Sequence, residues 1–304
     1  MRGSKLNVRV LSMTTSIFKD TKTIYTDLAN EAFSRENSAD MLPGVTRKVL
    51  EIKSAPQNIG VEIIEISDAA SGEKLGKGCG RYVSIRSEYA LNRDKAHHRQ
   101  LSAVLCQRIK ELLPEKRRLT MVVGLGNRAM TPDALGPRTA DRIMVTRHFK
   151  QLFPGMTDKR LSAVCAFQPS VLGTTGIESA DAVSAMCDKV HPDCVIAVDS
   201  LAAAEPQRIN DTIQLSDAGI APGAGVGNRR RGIDSRSLGV PVLAIGIPVV
   251  VRLPLQKQDG EEEMIVTAKN IDAIINDCSA IIAGGINLAL HDGVTEEEIA
   301  DFMY

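Results

Sequence analysis

The 304-residue chain has no tryptophan, only four tyrosines and six phenylalanines, and no surplus of either charge, since 37 basic side chains balance 37 acidic ones. So few aromatics leave no stacking platform for single-stranded nucleic acid. A balanced charge gives no footprint for coating DNA or for settling on an anionic bilayer. No uninterrupted apolar run approaches the ~20 residues of a membrane span, and the first twenty residues lack the continuous apolar core of a signal peptide. The expectation is a soluble, cytoplasmic protein with no membrane partner and no direct nucleic-acid partner.

Paired cysteines and standard nucleophile motifs are missing too. Cys79, Cys106, Cys165, Cys187, Cys194 and Cys278 form no C-x-x-C pair, so reduced, buried thiols are expected rather than a zinc site or a disulfide frame. No serine stands in G-x-S-x-G, and His97, His98, His148, His191 and His291 have no motif partner. This disfavours a serine or cysteine hydrolase. His97 and His98 precede an amphipathic helix and read as solvated; His148 reads as structural.

What is present is a 43% hydrophobic chain, ample for a sizeable core. Residues 1–20 carry no period and read as a mobile tail, and 25–33 is helix-capable. The β-like runs at 45–53, 61–67 and 81–87 suggest a small antiparallel patch ahead of the main sheet. Residues 95–113 have apolar positions at spacings of three and four, a helix that Pro114 ends. Strands then alternate with helices: strands at 119–124, 161–167, 194–198, 212–215 and 240–251, helices at 137–153, 179–190 and 270–290, and a helix-like 201–208. Near-continuous Val, Ile, Leu and Ala in the strands indicates a mostly parallel sheet covered by helices on both faces, an α/β fold.

The turn after the first core strand, Gly124-Leu125-Gly126-Asn127-Arg128-Ala129, formally fits G-x-G-x-x-G/A. A dinucleotide site needs a helix to start there at once, and Pro132 and Pro137 lie where it would run. The helix is expected to begin later, with one of those prolines in its first position. Asp133 then stands in a loop or first turn, where an Asp commonly serves as a cap. Asp199, in CVIAVDSLAA, follows the end of another apolar strand. Ligands of open α/β sheets bind outside the carboxyl ends of strands. Two carboxylates brought together there cannot both ionise easily, so the pair holds a proton and can serve as acid and base toward a water. That is the chemistry of amide hydrolysis. The glycine-rich segment 216–228, with Ser216, Asp217, Gly223 and Gly225, reads as a substrate-loop candidate or as a surface connection.

Several of these stretches together resemble one family. GLGN, TPDALGP, VTRHF, VLGTTGIES, PDCVIAVDSLAA, RINDTIQLSDAGIAPGAGVGN, GVPVLAIGIPVVV and IIAGGINLALH are similar to germination protease, the spore endopeptidase of endospore-forming bacteria; YTDLANEA, LPGV and GKGCGRYVSI match more loosely. The resemblance implies an atypical aspartic endopeptidase that degrades small acid-soluble spore proteins in the spore core. It implies a fold similar to hydrogenase maturation proteases, a self-processing zymogen, a homotetramer, and no metal or cofactor. Carried over by motif, the acid pair falls on Asp133 and Asp199, and the processing site in YTDLANEA falls between Asp27 and Leu28. The domain reading is therefore a propeptide-like extension over 1–27 and a single endopeptidase domain over 28–304. The tail is longer than the family's, with MRGS read as an appendage, and only RLPLQKQDGEEE (252–263) stands where relatives carry a long insertion. Two other readings remain. One is a nickel-dependent endopeptidase of the hydrogenase-maturation type, which lacks a histidine after a corresponding strand. The other is a non-hydrolytic nucleotide-binding regulatory module that cradles phosphate on the glycine turn.

Overall fold

A computed structural model of the chain describes residues 25–35, 42–53, 58–87, 94–155, 158–221, 231–257 and 260–303. The tail expected over 1–20 lies outside them. The helices are α1 (Ala29–Arg35), α2 (Ala69–Leu75), α3 (Lys95–Leu112), α4 (Leu135–Ala140), α5 (Arg147–Leu152), α6 (Leu172–Thr175), α7 (Ser179–Val190), α8 (Ser235–Leu238), α9 (Ile271–Leu290) and α10 (Glu296–Met303). The strands are β1 (Val45–Ile52), β2 (Ile59–Ile66), β3 (Gly80–Arg86), β4 (Leu119–Leu125), β5 (Ala163–Ser170), β6 (Cys194–Ala203), β7 (Thr212–Ser216), β8 (Val242–Lys257) and β9 (Gly260–Thr267).

The strands join in one mixed sheet, ordered β1-β2-β3-β7-β8-β6-β4-β5, with β9 paired to β8. Strands β5, β4, β6 and β8 are parallel neighbours, as their continuous apolar sequences require. The other pairings are antiparallel. The three N-terminal strands are thus not a separate patch: Tyr82–Arg86 pairs with Thr212–Ser216 and carries the sheet across.

Alternation along each parallel strand feeds two cores. Val122, Ile196 and Val198 face α3 and α9, while Met121, Val123, Val195 and Ala197 face α7 with Val183 and Cys187. Among the described residues only α9 is long and apolar enough to cross a bilayer, and it is the core helix here: Ile274, Ile275, Cys278 and Ile282 are buried among α3, α4 and the sheet.

Local departures have identifiable causes. The helix expected over 137–153 is two, α4 and α5, separated by a bend that the Asn287 side chain holds by accepting from Met144 N and donating to Arg142 O. The helix-like 201–208 is strand as far as Ala203, because β8 continues beside it past a register shift between Leu201 and Ala202 (Leu201↔Pro248, Ala202↔Val250, Ala203↔Val251). Pairing overrides local propensity there. Segment 252–263 forms most of a β8–β9 hairpin rather than a plain bridge. His97 is buried, with its Nε2 2.6 Å from Ser87 Oγ, not solvated. Cys187, Cys194 and Cys278 are buried thiols as expected, whereas Cys79 is exposed.

Candidate active site

Strand β4 ends in a rim beside the middle of β6: Asp199, expected just past a strand end, lies inside β6, which runs on to Ala203 because β8 pairs alongside it. Gly124 of β4 pairs with Val198 of β6, so Asp199 stands level with the end of β4. On β6's other side Asp199 is in register with Gly246 of β8. Asp199 is buried, extends the row Val195–Ala197, and accepts a hydrogen bond from Ser200 N at 2.8 Å on Oδ1.

Asp133 reaches the same rim from the loop after β4. Pro132 sits in the first turn of a 3-10 helix, Thr131–Asp133, and α4 follows, so the prolines delay the helix as their chemistry demands. Asp133 Oδ2 accepts from Asn127 N at 2.8 Å, and Thr131 Oγ1 ties the turn to Asp272 of α9 at 3.1 Å. The turn packs against both α9 and β6. Two glycines allow this. Gly126 has φ +108, and a Cβ there would lie 2.1 Å from Asp133 O. A Cβ on Gly136 would lie 2.2 Å from Leu125 O and 2.4 Å from Val198 O, so α4 rests directly on the end of β4 and the middle of β6. The glycine turn therefore accommodates Asp133, and its Asn127 amide is taken by that carboxylate.

Residues 25–31 dock beside this rim. Leu28 is fully buried against Leu201, Ala203 and Val251. Asp27 pairs with Ala202 twice: Asp27 N donates to Ala202 O at 2.9 Å, and Ala202 N donates to Asp27 Oδ2 at 2.7 Å. The Gln214 amide brackets the Asp27–Leu28 peptide, donating to Asp27 O at 2.9 Å and accepting from Ala29 N at 2.7 Å. Ala202 lies three residues beyond Asp199, roughly 10 Å along an extended strand.

Three polar groups secure the segment, Glu31 buried and Lys77 and Tyr25 half-buried. Glu31 accepts from Ala204 N at 2.9 Å, Glu205 N at 3.1 Å and the Thr26 hydroxyl. The Lys77 ammonium donates to Thr26 O at 2.8 Å. Burial lowers the Lys77 pKa, against the pull of Asp27 and Glu31. Tyr25 donates to Asp27 Oδ1 at 2.6 Å and stacks under Arg252; burial pushes its hydroxyl up, and Asp27 adds to that. A cavity of about 230 Å³ adjoins the segment, lined among others by Asp27, Lys77, Tyr82, Gln214, Ser216 and Gly246. Burial pushes the Tyr82 hydroxyl up to about 12.

Of the substrate-loop residues, Ser216 is buried on the cavity wall and accepts from Ala218 N at 3.1 Å. Asp217 accepts from Arg81 N at 2.6 Å and so fastens β3 to the end of β7. Gly223 and Gly225 lie outside the described residues. Lys77 and Gln214 were not legible as functional: one sits in a glycine-rich turn, the other inside an apolar strand. The polar Gln214 within TIQLS was the available signal. Among the described residues, no three His, Cys, Asp or Glu side chains stand together as a metal-holding group.

Comparison with known proteins bears on the same stretches. A family model described as germination protease matches residues 21–260, a span that takes in Asp27, Asp133 and Asp199. The germination protease of Caldanaerobacter subterraneus subsp. tengcongensis is 36% identical over 323 aligned residues, covering 92% of this chain and 98% of that protein. That of Clostridium perfringens is 36% identical over 298 residues, covering 84% and 91%. That of Priestia megaterium is 38% identical over 211 residues, covering 68% of this chain and 56% of that protein. Among solved structures, a NiFe hydrogenase maturation protease, HycI from Thermococcus kodakarensis KOD1, aligns with 58% of this chain and 96% of its own at 15% identity and a TM-score of 0.35.

Proposed function

This chain belongs to the germination protease family, and from that premise we propose an aspartic-type endopeptidase in which Asp133 and Asp199 activate a water. The membership makes it a peptidase of spore germination. What supports the finer reading is that β4 ends level with Asp199 on its parallel neighbour β6, and that the turn carrying Asp133, in the loop after β4, packs against β6. One carboxylate, ionised, takes a proton from water as the water oxygen bonds to the peptide carbonyl carbon. The other, protonated, supports the oxygen that gains charge. A proton then passes to the departing nitrogen as the C–N bond breaks. The two titrate as a pair, so acid and base are roles of the pair rather than fixed labels.

The proposed substrates are small acid-soluble spore proteins, cleaved in the cytoplasm of the spore core without metal or cofactor. Residues 1–27 are the propeptide and 28–304 the mature domain, released by self-processing between Asp27 and Leu28. The tight docking of 25–31 supports the propeptide reading, because an ordered segment over the rim is what a zymogen requires. Exposed Phe149, Leu152, Phe153 and Phe302 on α5 and α10 support homotetramer assembly, since such a patch on a monomer faces water at a cost.

The test is cleavage of a purified small acid-soluble protein by the processed chain. Asp133→Asn and Asp199→Asn are each expected to abolish it with the fold intact, and a chelator to leave it unchanged. Near-normal cleavage by either variant removes the acid-pair mechanism.

A further inference from the structure

We infer that cleavage after Asp27 creates a buried ammonium on Leu28 that the Glu31 carboxylate captures, so that Glu31 latches the processed form. This rests on the processing site proposed above.

The geometry is already set in the uncut chain. Helix α1 begins at Ala29, which makes Leu28 its cap and Glu31 its third residue. That is the spacing at which a glutamate side chain reaches back to the cap's backbone nitrogen. Thr26 stands between the two: its hydroxyl accepts from Leu28 N at 3.0 Å and donates to Glu31 Oε2. Leu28 and Glu31 are both buried, and Glu31 is held in place by the Ala204 and Glu205 amides at 2.9 and 3.1 Å.

Hydrolysis puts hydroxide on the Asp27 carbonyl carbon and a proton on the Leu28 nitrogen as their bond breaks. A further proton from solvent makes the ammonium. Thr26 departs with its peptide, so the ammonium inherits a position one hydroxyl away from Glu31. Leaving it unpaired there is costly, because burial penalises an isolated charge and the N-terminal end of α1 is itself positive. Among the described residues, the charged groups tied to this point are Lys77, on the Thr26 carbonyl, and Asp27. Asp27 leaves with the peptide, and Lys77 loses its Thr26 carbonyl partner, which leaves Glu31 as the carboxylate both cations face. Through Ala204 and Glu205, just past the end of β6, the latch bears on the strand that carries Asp199. Glu31 is thereby a positioning residue.

The test uses the full chain. After processing, the first residue is read by N-terminal sequencing, and the α-amine is labelled with an amine-selective acylating reagent near pH 8. The expected start is Leu28, labelled at least about tenfold more slowly than a free leucyl peptide, since each unit of raised pKa removes tenfold of the reactive neutral amine. Glu31→Gln in the processed chain should restore fast labelling and lower Tm more in the processed than in the uncut form. A different first residue overturns the processing site and the latch with it. A Leu28 start with free-peptide labelling in the unsubstituted chain leaves the processing site standing and overturns the latch alone, without need of a variant. Glu31→Gln that is processed yet stays as protected also overturns the latch.

Discussion

Strands β4 and β6 are buried along almost their whole length and run parallel, and β4 stops level with Asp199 while β6 runs on to Ala203. Strand β1 is mostly exposed and β2 only partly buried, and the two pair antiparallel. A parallel half must leave its strand ends open, because its connections pass over the faces as helices, and that open rim is where Asp133 and Asp199 stand. An antiparallel half has no comparable rim, and here it supplies anchors instead. Asp217 fastens β3 to β7, and Lys77, in the turn before β3, holds Thr26. The N-terminal segment spans the seam, bonded to Ala202 on the parallel side and to Gln214 of β7 on the other. Chemistry sits in one half, restraint in the other.

The largest effect that sharpens this contrast is on turnover. Asp133→Asn or Asp199→Asn is expected to lower cleavage by a factor of at least roughly 10²–10⁴, the scale of a lost general acid or base, with Tm nearly unchanged. Asp217→Asn is expected to do the reverse, lowering Tm while turnover stays within a few-fold. Paired measurement of turnover and thermal unfolding decides it, and equal losses of turnover in all three variants would break the division.

Next comes the scaffold of the rim. Gly136→Ala would drive a methyl into the carbonyls of Leu125 and Val198, so α4 must lift off both strands. A destabilisation of about 1–3 kcal/mol or more is expected, together with loss of activity through displacement of Asp133. Denaturant unfolding checks the first and substrate cleavage the second. Gly173→Ala is the control, since nothing lies within 4 Å of a Cβ there and its φ is not in the left-handed region.

The same contrast governs what could be read from sequence. Continuous apolar runs announced β4, β6 and β8, and Pro132 with Pro137 correctly forbade an immediate helix after β4; that β6 continues through Asp199 to Ala203 was not legible. Two distant pairings were hidden. The union of β1–β3 with the main sheet depends on β3 pairing with β7, a contact between residues 82–86 and 212–216 that no local pattern encodes. Residues 201–203 read as helix because Leu-Ala-Ala favours one, and only β8 lying alongside makes them strand. The recognition of Asp27 by Gln214 was hidden for the same reason, as it joins residues far apart in the chain.

A smaller, kinetic effect probes the seam. The Gln214 amide makes two hydrogen bonds around the Asp27–Leu28 peptide, and on the proposed mechanism that bond leaves its dock to meet Asp133 and Asp199. Gln214→Ala is therefore expected to speed self-processing several-fold, because each lost bond weakens the docked state by about 0.5–1.5 kcal/mol. The rate of appearance of the shortened chain, followed by mass spectrometry, checks this. Slower processing would mean that Gln214 holds the bond in its reactive position rather than away from it.

The smallest effect is on pH dependence, and it belongs to the parallel half alone. His291, at the end of α9, is fully buried; its Nδ1 accepts from Ser162 N at 3.3 Å and its Nε2 lies 3.3 Å from Met144 O. It therefore joins the approach to β5 to the α4–α5 bend as a neutral ring that accepts on one side and donates on the other. Burial, the largest cause, holds its pKa below the ordinary value, with Lys150 adding to the fall and the Met144 carbonyl opposing it. The unfolded chain then binds the extra proton first. Stability from this group is complete above about pH 6.5 and declines as the pH falls from there toward the folded-state pKa. A protonated Nδ1 also ceases to accept from Ser162. Between pH 7 and 5, amide exchange at Ser162 should accelerate relative to that at Ala202, whose bond to Asp27 does not involve His291. His291→Gln should flatten the dependence at Ser162, and an equal acceleration at both amides would mean that the two regions loosen together.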